Sequence, residues 1–232
     1  MREAELVLEG KAYIYGRVQE VVMGIDEGKI SWISRVGEAR SSATKVKVSG
    51  KRIILPGMVD IHVHMRDFEE KNKEDWYTGT LSALRGGVTL IADMPNNKPP
   101  IDSLSCLKRK IEVANGKSLV DFLLYSEIPR RMRELEEICE IAVGFKLYPE
   151  DYFNDSLEQF LNSLKDGSLI VVHPEDPRKI EEAQGKYFKA NFPTERKPGE
   201  LTTAIGFSSL GLMKNFNQIF VFKIIQPKHS TY

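Results

Sequence analysis

The chain has 232 residues, and its 33 Lys plus Arg are balanced by 33 Asp plus Glu, so no bulk charge draws it to nucleic acid or an anionic membrane surface and the expected partner is a small molecule. At 41% hydrophobic residues it can bury a real core, yet no apolar run approaches the roughly 20 residues of a membrane helix. The opening MREAELVLEGK is too charged for a secretory signal, which makes the cytoplasm the expected compartment.

Residues 1–54 alternate short β-type runs (AYIYGRVQEVVMGI, KISWISRV, TKVKVSG) with Gly-containing turns, and DEGK at 26–29 has hairpin-turn chemistry. This predicts a small N-terminal β-sandwich portion. Over 55–232 the texture becomes apolar strands separated by amphipathic helices, the pattern of βα units around a parallel sheet. Six strands are predicted: MVDIHVH, GVTLIADMP, VDFLLYSEI, AVGFKLY, SLIVVH and QIFVFKII. Between them Leu104, Leu107, Ile111 and Ala114 recur at helical spacing, as do Met132, Leu135 and Ile138, and Leu157, Phe160, Leu161 and Leu164; these stripes read as core packing. The charge run RDFEEKNKED reads as a solvated rim or helix start, and Cys106 and Cys139 as free thiols inside helical patterns.

The strand ends carry the chemistry. Side chains at i and i+2 of a strand point to one side, so His62 and His64 in LPGMVDIHVHMRD project together, with Arg66 following them if the extended backbone persists. Two neutral imidazoles so placed can ligate one divalent ion. The chain has only four His, and two of them share this motif at the C-terminal end of a strand, where (β/α) barrels keep their active sites.

GFKLYP buries Lys146 in an apolar strand, where desolvation pushes an ammonium toward the neutral amine. A neutral amine can capture carbon dioxide as a carbamate, an anionic two-oxygen bridge between two ions. The alternative is a lysine that snorkels to solvent or pairs with a carboxylate. IVVHPED adds His173 at the end of a fifth strand. Three histidines and one lysine at the ends of three strands make a joint case that none makes alone.

Together these motifs resemble the amidohydrolase superfamily and, within it, the dihydroorotases. The similarity covers roughly residues 10–205 and includes LPGMVDIHVHMRD, KEDWYTGTLSALRGGVTLIADMPNNKPPI, GFKLY, VVHPED and RKPGELTTAI. The resemblance implies an α/β fold, a TIM-like (β/α) barrel preceded by the β-sandwich portion. It implies two Zn2+ ions, with His62 and His64 on the more buried one, a carboxylated Lys146 bridging both and His173 on the second. The implied reaction is the zinc-dependent reversible hydrolysis of dihydroorotate to N-carbamoyl-L-aspartate in pyrimidine biosynthesis. Arg66 and Asn96 are the implied substrate-binding residues, a guanidinium fork being well matched to the carboxylate that separates dihydroorotate from dihydropyrimidines. The bland alternatives are a salt bridge from Arg66 to Asp67 or Glu69 and an Asx-type turn at PNN, with Asn97, Lys98 and the two prolines giving loop shape.

The chain also departs from the family. Setting aside the β-sandwich portion leaves about 177 of the 232 residues for a barrel that typically takes about 250, and six strands instead of eight. A C-terminal truncation is the expectation, with the last two βα units absent. No residue matches the family's catalytic aspartate. Where its fourth histidine ligand belongs, QIFVFKII offers Lys223 or Gln226, with His229 as a displaced substitute. Unpaired sheet edges would expose backbone groups, which a homo-oligomer, a pyrimidine-pathway partner enzyme or a missing C-terminal portion would cover. A non-catalytic assembly partner and a related cyclic amidohydrolase, a dihydropyrimidinase or allantoinase, are the competing readings.

Overall fold

The computed structural model describes residues 4–37, 42–173 and 219–221. The chain divides into two compact units, Met1–Met58 and Val59–Tyr232. The first is a four-stranded sheet of β1 (Ala4–Ile14), β2 (Arg17–Asp26), β3 (Lys29–Arg35) and β4 (Ser42–Lys47), in the order β3-β2-β1-β4. β2 runs antiparallel to both β1 and β3, whereas β4 runs parallel to β1.

The DEGK turn forms as expected, with Glu27 and Gly28 both in the left-handed region (φ 51° and 73°). The run AYIYGRVQEVVMGI is not one strand, however: it breaks at Tyr15 and Gly16 (φ 52° and 79°), and the two halves pair as a hairpin. A single Gly after Tyr15 supplies the second left-handed residue of the turn, a weaker signal than Asn-Gly or Asp-Gly. Gly24 is fixed by packing, because a Cβ there would fall 2.2 Å from the Trp32 ring that lies across the sheet.

The second unit is built on six strands in chain order: β5 (Met58–Val63, beginning at the boundary), β6 (Val88–Asp93), β7 (Asp121–Ser126), β8 (Gly144–Leu147), β9 (Ile170–Val172) and β10 (Ile219–Val221). The registered pairs from β6 to β10 are all parallel. Helices α1 (Trp76–Arg85), α2 (Leu104–Lys117), α3 (Leu135–Ile141) and α4 (Ser156–Ser163) lie between successive strands, each near its predicted stripe except α1, which the sequence announced only as a helix start. Asp75 caps α1 in a reciprocal capping box with Thr78. This is an incomplete (β/α) barrel, its described sheet ending at β5 and β10.

Strand alternation sorts the side chains into two layers. Ile91, Leu124, Phe145, Leu147, Ile170 and Val172 pack with Leu107, Ile138 and Phe160 of the helices, while Ala92, Met94, Tyr125 and Val171 form a separate buried cluster on the other face. Lys146 has the parity of that second face and is registered with Val171. Asp93 has the parity of the helix face. Among the described residues no helix is long and apolar enough to cross a membrane, and Cys106 and Cys139 are free and half-buried.

Candidate functional site

β5 delivers His62 near its C-terminal end, and His64 follows one residue past it. Their ring centroids are 5.4 Å apart and tilted by 58°. Burial, then the positive charges of Lys146, His64 and His173, holds His62 down at about pKa 4. Burial first and Arg66 second also lower His64, which Asn96 partly offsets. Both imidazoles are therefore neutral donors at physiological pH. The contact between Nδ1 of His64 and Oδ1 of Asn96, 2.8 Å, fixes the tautomer: Nδ1–H donates and the Nε2 lone pair stays available for a ligand.

Lys146 sits in β8, only 1% exposed. Desolvation lowers its amine to about pKa 8, and among the described residues Nζ has no hydrogen-bond partner. Among the described residues neither the snorkelling nor the carboxylate-paired alternative is seen. Nζ stands 5.7 Å from the ring centroid of Tyr148, which in turn lies 6.5 Å from the His173 ring. His173 follows β9, its backbone N–H donating to the Leu147 carbonyl at 2.9 Å and its own carbonyl accepting from the Tyr152 hydroxyl.

Among the described residues no three His, Cys, Asp or Glu side chains form a metal cage by themselves. A donor set of two neutral imidazoles and an orphaned buried amine fits a divalent ion once the amine is carboxylated, and that orphaned Nζ is the feature a bound ion would explain. Lys223, Gln226, His229, the acidic residues after His173 and the RKPGELTTAI motif lie outside the described residues.

The extended backbone does not persist to Arg66. The strand ends at Val63, and Arg66, Asp67 and Phe68 all have positive φ (52°, 58° and 51°), a run that costs on the order of 1–3 kcal/mol per residue and persists only where the surroundings enforce it. The turn nevertheless brings Arg66 to Asn96: its Nη1 donates to the Asn96 carbonyl at 3.3 Å. Its ion pair is with Glu70 at 3.5 Å, neither Asp67 nor Glu69. Asp67 accepts from Lys117 Nζ at 2.7 Å and from the amides of Phe68 and Trp76. The charge run is thus not simply a solvated rim, since Asp67 and Glu70 are each 6% exposed.

Three residues escaped the sequence reading. Asp93 and Lys110, both fully buried, form a 2.6 Å ion pair between the end of β6 and α2. Asn97, expected only to shape a loop, accepts from Lys110 Nζ at 2.8 Å and donates to the Arg66 carbonyl. A Lys in a helical stripe and an Asn in a proline-containing loop are ordinary in sequence. What makes them structural is contact between elements distant in the chain.

Residues 51–145 match a family model described as dihydro-orotase-like. The dihydroorotase of Pyrococcus furiosus is 35% identical over 216 residues, covering 89% of this chain and 51% of that protein. The dihydroorotase of Archaeoglobus fulgidus is 31% identical over 218 residues, covering 88% and 51%. The chain thus spans about half the length of these curated relatives. Among solved structures, the L-hydantoinase (dihydropyrimidinase) from Arthrobacter aurescens superposes with a TM-score of 0.80 at 23% identity, over 95% of this chain and 53% of that one. A D-hydantoinase from Thermus sp. gives 0.73 at 18%, over 93% and 51%. At such identities the likeness speaks for the fold alone, the one that these hydantoinases share with this chain.

Proposed function

We propose that this dihydro-orotase-like chain carries a zinc-dependent site for the reversible hydrolysis of the cyclic amide of dihydroorotate to N-carbamoyl-L-aspartate, a step of pyrimidine biosynthesis. In this reading His62, His64, a carboxylated Lys146 and His173 hold two zinc ions, while Arg66 and Asn96 grip the substrate carboxylate. A bound divalent ion would supply a water acidified toward about pH 7 and a polarised carbonyl. The protein's own part is orientation. Asn96, its Oδ1 engaged by His64, keeps its amide Nδ2–H donors for the carboxylate or ring amide, and the Arg66 fork stands beside it. The buried amine of Lys146, lowered by desolvation to about pKa 8, has a far larger neutral fraction near pH 7 than an exposed lysine and is chemically suited to capture carbon dioxide.

The observation that carries the reading is the position of Asn96, within hydrogen-bond distance of a candidate metal ligand on one side and the candidate carboxylate fork on the other. Zinc content of the purified full chain, with calorimetric titration of dihydroorotate against dihydrouracil, tests it. Zinc retention and a clear preference for the carboxylate-bearing ring are expected; a folded, zinc-loaded chain that binds both rings equally, or neither, would refute it.

A second reading, a non-catalytic assembly partner, draws on the edge strand β5. Met58, Val59 and Ile61 there are 55%, 57% and 36% exposed, the apolar surface of a strand awaiting a neighbour. Zinc-dependent turnover of dihydroorotate by the isolated chain would exclude a purely structural role.

A further inference from the structure

We infer that Lys110 is a positioning residue for substrate selection: from the helix layer it locks the two loops that carry Arg66 and Asn96. This inference rests on the carboxylate-binding reading of those two residues. Lys110 projects from α2 with no solvent exposure. Its Nζ forms an ion pair with Asp93 Oδ2 at 2.6 Å and donates to two acceptors just past β6, the Met94 carbonyl and Asn97 Oδ1, each at 2.8 Å.

From that point two links run to the turn after β5. Asp93 Oδ1 accepts from the backbone N–H of Met65 at 2.7 Å, and Asn97 Nδ2 donates to the Arg66 carbonyl. Lys110 therefore grips β6's loop directly and β5's turn at one remove, on both sides of Asn96 and on both sides of the Met65–Arg66 peptide. The turn it holds is the run of three left-handed residues, none of them glycine, that swings Arg66 out of the strand direction and toward Asn96. Such a backbone relaxes when its restraints go. Of the metal-binding candidates, His62 within β5 and Lys146 within β8 stand clear of this clamp, whereas His64 lies beside Met65 and contacts Asn96.

Lys110→Met keeps the length of the side chain and removes its charge and donors. Asn97→Ala cuts the link to Arg66 while leaving the Lys110–Asp93 pair in place, and it decides the matter if the first variant does not fold. In the full chain, both variants are compared with wild type for dihydroorotate and dihydrouracil affinity by calorimetry and for zinc content. Dihydroorotate affinity should fall about tenfold or more, the scale of a small misplacement of a binding group, while dihydrouracil affinity falls far less and zinc content reports any shift of His64. Wild-type preference for dihydroorotate retained in a folded variant would overturn the positioning role alone, as would equal loss of both rings. A wild-type chain with no such preference would instead refute the carboxylate reading on which the role depends.

Discussion

Lys110 Nζ and Asp93 Oδ2 meet at 2.6 Å with neither side chain exposed to solvent. A pair so placed is valuable mainly as a unit, because removing one partner leaves the other charge stranded in a medium that cannot solvate it. Lys110→Met should therefore destabilise the chain by about 3–5 kcal/mol in chemical denaturation. The double variant with Asp93→Asn should recover part of that loss, and strictly additive effects would show the two groups to be uncoupled.

How much of this was legible beforehand follows from the range of each signal. The two-residue period of a strand is local, so His62 and His64 could be placed on one side from sequence, and the strand–helix alternation gave all six strands of the parallel sheet. The burial of Lys146 was equally readable, because its apolar neighbours are its chain neighbours. Lys110 was not: its acceptors sit 13 to 17 residues away on another element. Nor does any local pattern announce left-handed backbone at Arg66, Asp67 and Phe68, where no glycine stands. Those φ values are imposed by the Asn97, Asp93 and Lys117 contacts, which exist only once the fold has closed around them.

Glu127 stands at the end of β7, where burial, then the carboxylates of Asp102 and Asp151, raise it from 4.5 to about 7. The folded state thus binds a proton that the unfolded chain releases between those values, so the contribution is fully present below pH 4.5 and is lost as pH rises through 7. Glu127→Gln should be close to wild type in stability below pH 4.5 and more stable than wild type above pH 7. Thermal midpoints across this range check it; parallel curves for the two proteins would show that Glu127 does not titrate there.

Arg66→Met tests the carboxylate grip where the charge itself resides. Charge-assisted hydrogen bonds are worth about 1.5–3 kcal/mol each, so dihydroorotate affinity should drop roughly 10- to 100-fold. Dihydrouracil, which lacks the carboxylate, should bind as before. A uniform loss across both rings would point to collapse of the turn instead.

His62→Ala removes a neutral imidazole from the candidate metal set. Losing an outer partner of a metal ligand typically costs 10- to 100-fold in affinity, and losing the ligand itself should cost at least as much. Chelator competition measures this directly. Because His62 is held at about pKa 4, its proton should not compete with zinc near pH 6, and the wild-type zinc affinity owes none of its pH dependence there to this residue.

Gly144 opens β8 beside Leu169, the residue that precedes β9. A Cβ at this position would lie 2.5 Å from the Leu169 carbonyl oxygen and 2.9 Å from the Leu169 Cβ. The first of these atoms is backbone, so no rotamer change relieves the clash and the two strands must part locally. The same stretch holds the Lys146–Val171 register and the bond from Phe145 N–H to the Leu169 carbonyl. Gly144→Ala should then cost about 1–3 kcal/mol, the usual penalty of overpacking, and should weaken zinc retention along with stability, since Lys146 and His173 are carried by these two strands. An alanine variant with wild-type stability and zinc content would mean that the β8–β9 spacing is softer than this contact implies.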